Sequence, residues 1–147
     1  MIPLPRDFKE FLALLNAKQV KYLLVGGYAV GFHGYPRTTL DIDIWVGVNR
    51  ENAQKLVAAL KEFGFNVPDL SESKFLNPDR IIQMGVETMR IEIFTGLKGV
   101  SFDECFANKI VASWDGIQVS LISLNDLKEA KRAAGRHQDL NDLEHLP

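Results

Sequence analysis

Two aspartates one residue apart, Asp41 and Asp43, are the first side chains in this sequence spaced for chemistry. With Ile42, Ile44, Trp45 and Val46 around and after them, they read as the start of a strand over Asp41 to Val46 that runs into a core. Residues two apart on a strand share a face, so the carboxylates project together while Ile42 and Ile44 enter the opposite layer. Two carboxylates a few ångströms apart repel each other. Protonating one relieves the repulsion, as does a hard cation such as Mg²⁺ held through oxygen, and at neutral pH the cation is the expected relief. Glu92, between Ile91 and Ile93 in an expected strand Arg90 to Phe94, completes a triad if the two strands are neighbours. The same alternation marks any half-exposed strand, so the surrounding sequence has to decide.

Upstream, the apolar run Val20 to Val25 stops at Gly26-Gly27, the pattern of a buried strand breaking into a turn before a short helix. Backbone N–H groups exposed at such a turn can hold phosphate without a side chain. The chain has no Gly-x-x-x-x-Gly-Lys-Ser/Thr loop, and Gly27-Tyr28-Ala29-Val30-Gly31 does not match the dinucleotide fingerprint. His33, His137 and His145 show no ligand spacing and read as surface or capping residues. Trp45 and Trp114 read as core packing, and Cys105 as a small buried hydrophobe.

The elements that must position these groups follow from periodicity. Phe8, Phe11, Leu12 and Leu15 mark a helix over Asp7 to Lys18, and Tyr28 to His33 a short second one. Leu56, Val57, Leu60 and Phe63 mark a third over Glu51 to Phe63, with Gly64 at its C-cap. Pro68 to Pro78 is polar, holds two prolines and reads as a mobile loop able to cover a site. Arg80 to Val86 and Met89 to Phe94 read as strands joined at Glu87-Thr88. Ile110 to Trp114 and Ile117 to Ile122 form a hairpin, because Asp115-Gly116 tolerates the positive φ of a type I′ turn. Ser123 to Ala134 and Gln138 to Leu146 are expected helices parted at Gly135-Arg136, with Ser123 or Asn125 as N-cap. Early helix–strand alternation followed by hairpins predicts an α/β or α+β domain on a mixed sheet flanked by helices.

At 147 residues the chain has the length of one domain, residues 1–147, and 46% hydrophobic with 24% charged residues suits a folded globular protein. A net charge of -2 gives no overall attraction for nucleic acid or anionic lipid. The one cysteine cannot form an internal disulfide, no apolar stretch reaches membrane length, and no basic segment with a following apolar run opens the sequence. The expected location is the cytoplasm, with no membrane association.

Gly26-Gly27, thirteen intervening residues, then Asp41-Ile42-Asp43 with Arg37-Thr38 ahead of the acids, resembles the minimal nucleotidyltransferases of the DNA polymerase β-like superfamily. The tail sharpens this. Lys131, Arg136, Asp139 and Asp142 resemble the Lys…Arg…Asp…Asp signature of the AbiEii-type toxin branch and its small relatives, so the likeness runs from about Val20 to Leu146. Many members carry Gly-Ser where this chain has Gly26-Gly27, although the toxin branch resembles it in using Gly-Gly. The third acid is Glu92, one methylene longer than the usual Asp.

The resemblance implies transfer of a nucleoside monophosphate from an NTP to an acceptor hydroxyl, with two Mg²⁺ ions as cofactor. Asp41, Asp43 and Glu92 would be catalytic and metal-binding, and Gly26, Gly27, Arg37, Thr38 and Lys131 nucleotide-binding. Arg136, Asp139 and Asp142 would support the phosphates or form a structural ion-pair cluster. RNA or protein is the acceptor the toxin branch implies, with a cognate antitoxin or toxin as partner. The competing expectation is a non-catalytic module that keeps the fold and binds nucleotide or a partner protein, as an antitoxin would.

Overall fold

Helix α1, Arg6–Ala17, places Phe8, Phe11, Leu12 and Leu15 on one buried stripe, so its position follows from three- and four-residue apolar spacing. A computed structural model describes residues 3–86 and 89–147. After α1 come β1, Tyr22–Val25, the short α2, Gly26–Phe32, β2, Asp41–Val46, and α3, Arg50–Phe63. Next are β3, Ile81–Val86, β4, Met89–Phe94, α4, Phe102–Ala107, and the hairpin strands β5, Ile110–Trp114, and β6, Ile117–Leu121. Helices α5, Leu124–Ala134, and α6, His137–His145, follow.

The six strands form one mixed sheet in the order β3-β4-β2-β1-β6-β5. Strand β2 runs antiparallel to β1 and parallel to β4, and β1 runs parallel to β6. The expected mixed sheet flanked by helices is therefore present. Ile42, Ile44, Ile91 and Ile93 are fully buried, and alternation along β2 and β4 turns Asp41, Asp43 and Glu92 to the opposite face. One buried polar residue locks the β1–β2 pair. The Asn52 side chain accepts from the Lys21 N–H at 2.7 Å and donates to the Lys21 and Gly47 carbonyls at 3.0 and 2.9 Å.

Asp115 and Gly116 both have positive φ, 52° and 83°, so the β5–β6 turn is the expected one. Gly64 closes α3 with its N–H on the Leu60 and Lys61 carbonyls, and Ser123 caps α5 by accepting from the Asp126 N–H. The expected Glu87-Thr88 turn lies outside the described residues.

Three expectations need correction. Residues 68–78 carry a 3₁₀ turn, Glu72–Phe75, that buries Leu70 and Phe75, and none of these residues lines the cleft described below. The apolar side chains of Leu70 and Phe75 outweigh the local proline and polar content. Helix α2 starts at Gly26 itself, so the two glycines open the helix instead of preceding it. Helix α4 was not expected: at six residues it is too short to show a period, though Ser101 caps it through the Glu104 N–H. No helix among the described residues is long and apolar enough to cross a membrane.

Candidate active site

Parallel pairing of β2 with β4 sets Asp43 directly beside Glu92 and Asp41 beside Arg90. The condition for a triad, adjacency of the two strands, is met. Burial pushes the Asp43 carboxyl up to about 8, with the Glu92 charge, a hydrogen bond shared with Glu92 and the Asp41 charge adding to it, while Lys131 opposes. Asp43 thus keeps its proton at neutral pH and directs it toward Glu92. Gln83, opposite Glu92 on β3, donates to its Oε1 at 2.9 Å. Asp41 is more exposed, and the Arg90 guanidinium stands 3.8 Å from its Oδ1.

Gly26 is fitted to these acids. Val25 pairs with Asp43 at the end of β1, and the chain leaves that pair through Gly26 at φ +69°. A Cβ on Gly26 would overlap the Asp43 carboxyl, and one on Gly27 would come within 2.7 Å of Thr39 Oγ1. At Gly26 the backbone packs directly on a carboxylate, and at Gly27 it packs on Thr39, approaches that leave no room for a side chain.

The tail residues meet in a buried ion-pair cluster. Lys131 on α5 lies 3.2 Å from Asp139 and 3.0 Å from Asp142, both on α6. Arg37 donates two hydrogen bonds to Asp142, at 2.9 and 3.1 Å, and Gln138 adds a third. Arg136 donates to Asp139 through Nε and Nη2. Burial acts to raise the Asp142 pKa, but Arg37 and Lys131 outweigh it and hold the carboxyl below its ordinary range. Asp139 behaves likewise, with Arg136 and Lys131 as the opposing partners. Arg37 and Lys131, expected at phosphate, therefore have their charges engaged by α6, while the Arg136 side chain stays largely exposed.

Three depressions border the acids, the smallest, of about 320 Å³, lying beside Asp41, Gln83, Arg90 and Glu92. A polar groove of about 340 Å³ is lined by Gly26, Gly27, Thr38, Thr39, Asp41 and Arg90 among others. A cleft of about 540 Å³ lies toward β3 and α5, with Ile81, Phe94, Leu97, Leu127, Ala130 and Ala134 on its walls and Glu92 at its polar end. Asp43, Lys131, Arg136 and Asp139 border both.

Among the described residues, no three His, Cys, Asp or Glu side chains are already gathered about one metal position. Oδ1 of Asp41 and Oδ1 of Asp43 are nevertheless buried without a hydrogen-bond partner. Orphaned carboxylate oxygens are costly, and they form the donor set a hard divalent cation takes. The residues fit such a cation.

Sequence reading did not single out Gln83, Arg90 or Thr39. Arg90 could have been found, being two residues before Glu92 on the same face; Gln83 and Thr39 carry no comparable signal. The remaining residues match their bland readings. His33 Nε2 donates to the Ile122 carbonyl, His145 stacks on Tyr35, and Trp45 and Trp114 are buried. Cys105 is buried too, and its thiol is pushed up to about 12 by burial and the nearby Asp126 carboxyl.

No family model matches the chain, and no curated protein does. Solved structures do resemble it. A protein from Thermotoga maritima provisionally described as a nucleotidyltransferase superposes with a TM-score of 0.63 at 18% identity, over 95% of this chain and 89% of that one. The lincosamide antibiotic adenylyltransferase LnuA, with lincomycin bound, gives 0.57 at 15% identity over 97% and 96%. An antigenic nucleotidyltransferase-like protein from Paracoccidioides brasiliensis gives 0.55 at 16% identity over 98% and 77%. The chain has the nucleotidyltransferase fold.

Proposed function

We propose that this protein transfers a nucleoside monophosphate from an NTP to an acceptor hydroxyl, releasing pyrophosphate. The observation that carries the proposal is the register of Asp43 with Glu92, beside Asp41 and against the Gly26 backbone, in a fold its solved neighbours share. Asp41, Asp43 and Glu92 would hold two Mg²⁺ ions. When bound, such cations neutralise phosphate charge and lower the pKa of the acceptor hydroxyl.

The chain's own residues divide the remaining work. Gly26, Gly27, Thr38 and Thr39 line a groove of about 340 Å³ that would seat phosphates against backbone, with Arg90 and Arg136 supplying positive charge. Asp139 and Asp142 hold Lys131 and Arg37 at the border of that groove, where both cations add to the field without being free to leave. In the transfer, the acceptor oxygen bonds to the α-phosphorus as the bond to the bridging oxygen breaks, and pyrophosphate departs with that oxygen. Glu92, held by Gln83, would either bind the second cation or receive the acceptor's proton.

The Lys131 to Asp142 tail supports kinship with the AbiEii-type toxin branch, with a cognate antitoxin as partner; kinship alone does not decide the acceptor. One solved neighbour is an adenylyltransferase with a small antibiotic bound, so the fold also accommodates small acceptors.

The test is incubation of purified protein with each α-labelled NTP, Mg²⁺ and cell extract. Label moved to an acceptor by wild type and lost in Asp43→Ala supports the proposal. Tight NTP binding with no transfer to any fraction would instead favour a nucleotide-binding module.

A further inference from the structure

We infer that the acceptor is a compact small molecule with an apolar body and a hydroxyl group, bound in the cleft between β3, β4 and α5. The inference rests on the nucleotidyltransferase reading and deepens it. Its first support is how the acids divide between the groove and the cleft. Asp41 borders the polar groove, Glu92 borders the cleft and Asp43 borders both, while Asp41 and Glu92 also meet at a third depression of about 320 Å³ beside Gln83 and Arg90. An in-line displacement puts the incoming hydroxyl and the departing pyrophosphate on opposite sides of the α-phosphorus. With pyrophosphate in the Gly26-Gly27 groove, the hydroxyl arrives from the cleft, on the side where Glu92 can take its proton.

The second support is the chemistry of the walls. Away from the acids the cleft is made by Ile81, Phe94, Leu97, Leu127, Ala130 and Ala134. Its volume of about 540 Å³ falls in the range of small-molecule sites, roughly 300–1,000 Å³, and its apolar wall faces a polar end that holds Asp43, Gln83, Glu92, Lys131 and Arg136. An RNA end needs cations tracking its backbone. Here Lys131 and Arg136 are paired with α6 carboxylates, which leaves Lys98 as the one lining cation without an ion pair among the described residues. A folded protein acceptor would have to insert a side chain into a walled cleft, whereas a small molecule enters whole.

The experiment fills the cleft. Ala130→Trp places an indole in it, and Ala134→Tyr does so from the exposed last turn of α5, where folding is insensitive to size. Each variant and wild type is titrated with ATP, CTP, GTP and UTP, then incubated with α-labelled NTP and three separate fractions: the dialysable part of an extract, total tRNA, and dialysed protein. The expected result is label on a dialysable compound with wild type, a loss of at least about tenfold in both variants, and NTP affinities within about twofold of wild type. Label on the tRNA or protein fraction would overturn the small-molecule acceptor while leaving nucleotidyl transfer standing. Weakened NTP affinity in both filled variants would overturn it differently, by showing that the nucleoside occupies the cleft. No transfer by wild type to any fraction would remove the nucleotidyltransferase reading itself.

Discussion

Asp43 on β2 lies in direct register with Glu92 on the parallel strand β4, and burial together with the Glu92 charge keeps the Asp43 proton in place up to about pH 8. The pair costs stability in the cation-free protein. An unfolded chain releases this proton near the ordinary aspartate value of 3.8, so between there and about 8 the folded state binds more protons than the unfolded state. Stability therefore falls as pH rises through that window. Asp43→Asn removes the penalty: thermal melting without divalent cations should show the variant above wild type by more than about 3 °C at pH 8, and level with it near pH 4. A constant difference across pH would contradict a retained proton on Asp43.

Gly26→Ala tests the fit of backbone to carboxylate. The left-handed φ of +69° alone costs an alanine roughly 1–2 kcal/mol, and the added methyl overlaps Asp43. The variant should melt several degrees lower and transfer label at least about a hundredfold more slowly, because a carboxyl displaced by an ångström loses its alignment. A transfer rate equal to wild type would show that the contact is incidental.

Asp142→Ala leaves Lys131 and Arg37 without their shared buried partner, a loss of about 3–5 kcal/mol by denaturant unfolding. The Asp139 and Asp142 carboxyls have depressed pKa values, so what they contribute is complete above the ordinary aspartate value and fades as pH falls through their folded values. Wild type should lose stability below about pH 4, and Asp142→Ala should lose less there. Equal acid sensitivity in the two proteins would count against the cluster.

Asn52→Ala removes three hydrogen bonds that tie the Lys21 end of β1 to the Gly47 end of β2, and leaves the Lys21 N–H and the Gly47 carbonyl without their side-chain partner while the Gly47 N–H still donates to the Lys21 carbonyl. Urea unfolding should report a loss of about 2–4 kcal/mol. Loss of transfer well beyond what partial unfolding explains would mean that Asn52 also sets the position of Asp43.

The strands carrying the acids were legible because a period of two with large apolar partners fixes facing as well as type, and Asp41 to Val46 has the bounds expected of it. Adjacency of Glu92 to Asp43 was not legible. It depends on a parallel pairing between strands separated by α3, and no local pattern encodes which strands pair. Gly26-Gly27 drew notice as a turn, whereas its necessity comes from a carboxylate seventeen positions away. The tail showed as a charge pattern, and only the meeting of α5, α6 and Arg37 reveals that its cations are already engaged. Leu70 and Phe75 were hidden by the prolines around them, since composition argues for a loop while two buried side chains hold it down.

The most direct test of the proposed centre is a Mn²⁺ titration at pH 7 with NTP present, following bound cation by electron paramagnetic resonance and released protons in a weakly buffered solution. A cation taken by Asp41, Asp43 and Glu92 must displace the Asp43 proton, so about one proton per site should appear as Mn²⁺ binds, and both signals should vanish in Asp43→Asn. Mn²⁺ bound as tightly by Asp43→Asn as by wild type, or bound without proton release, would contradict a cation centre on these carboxylates.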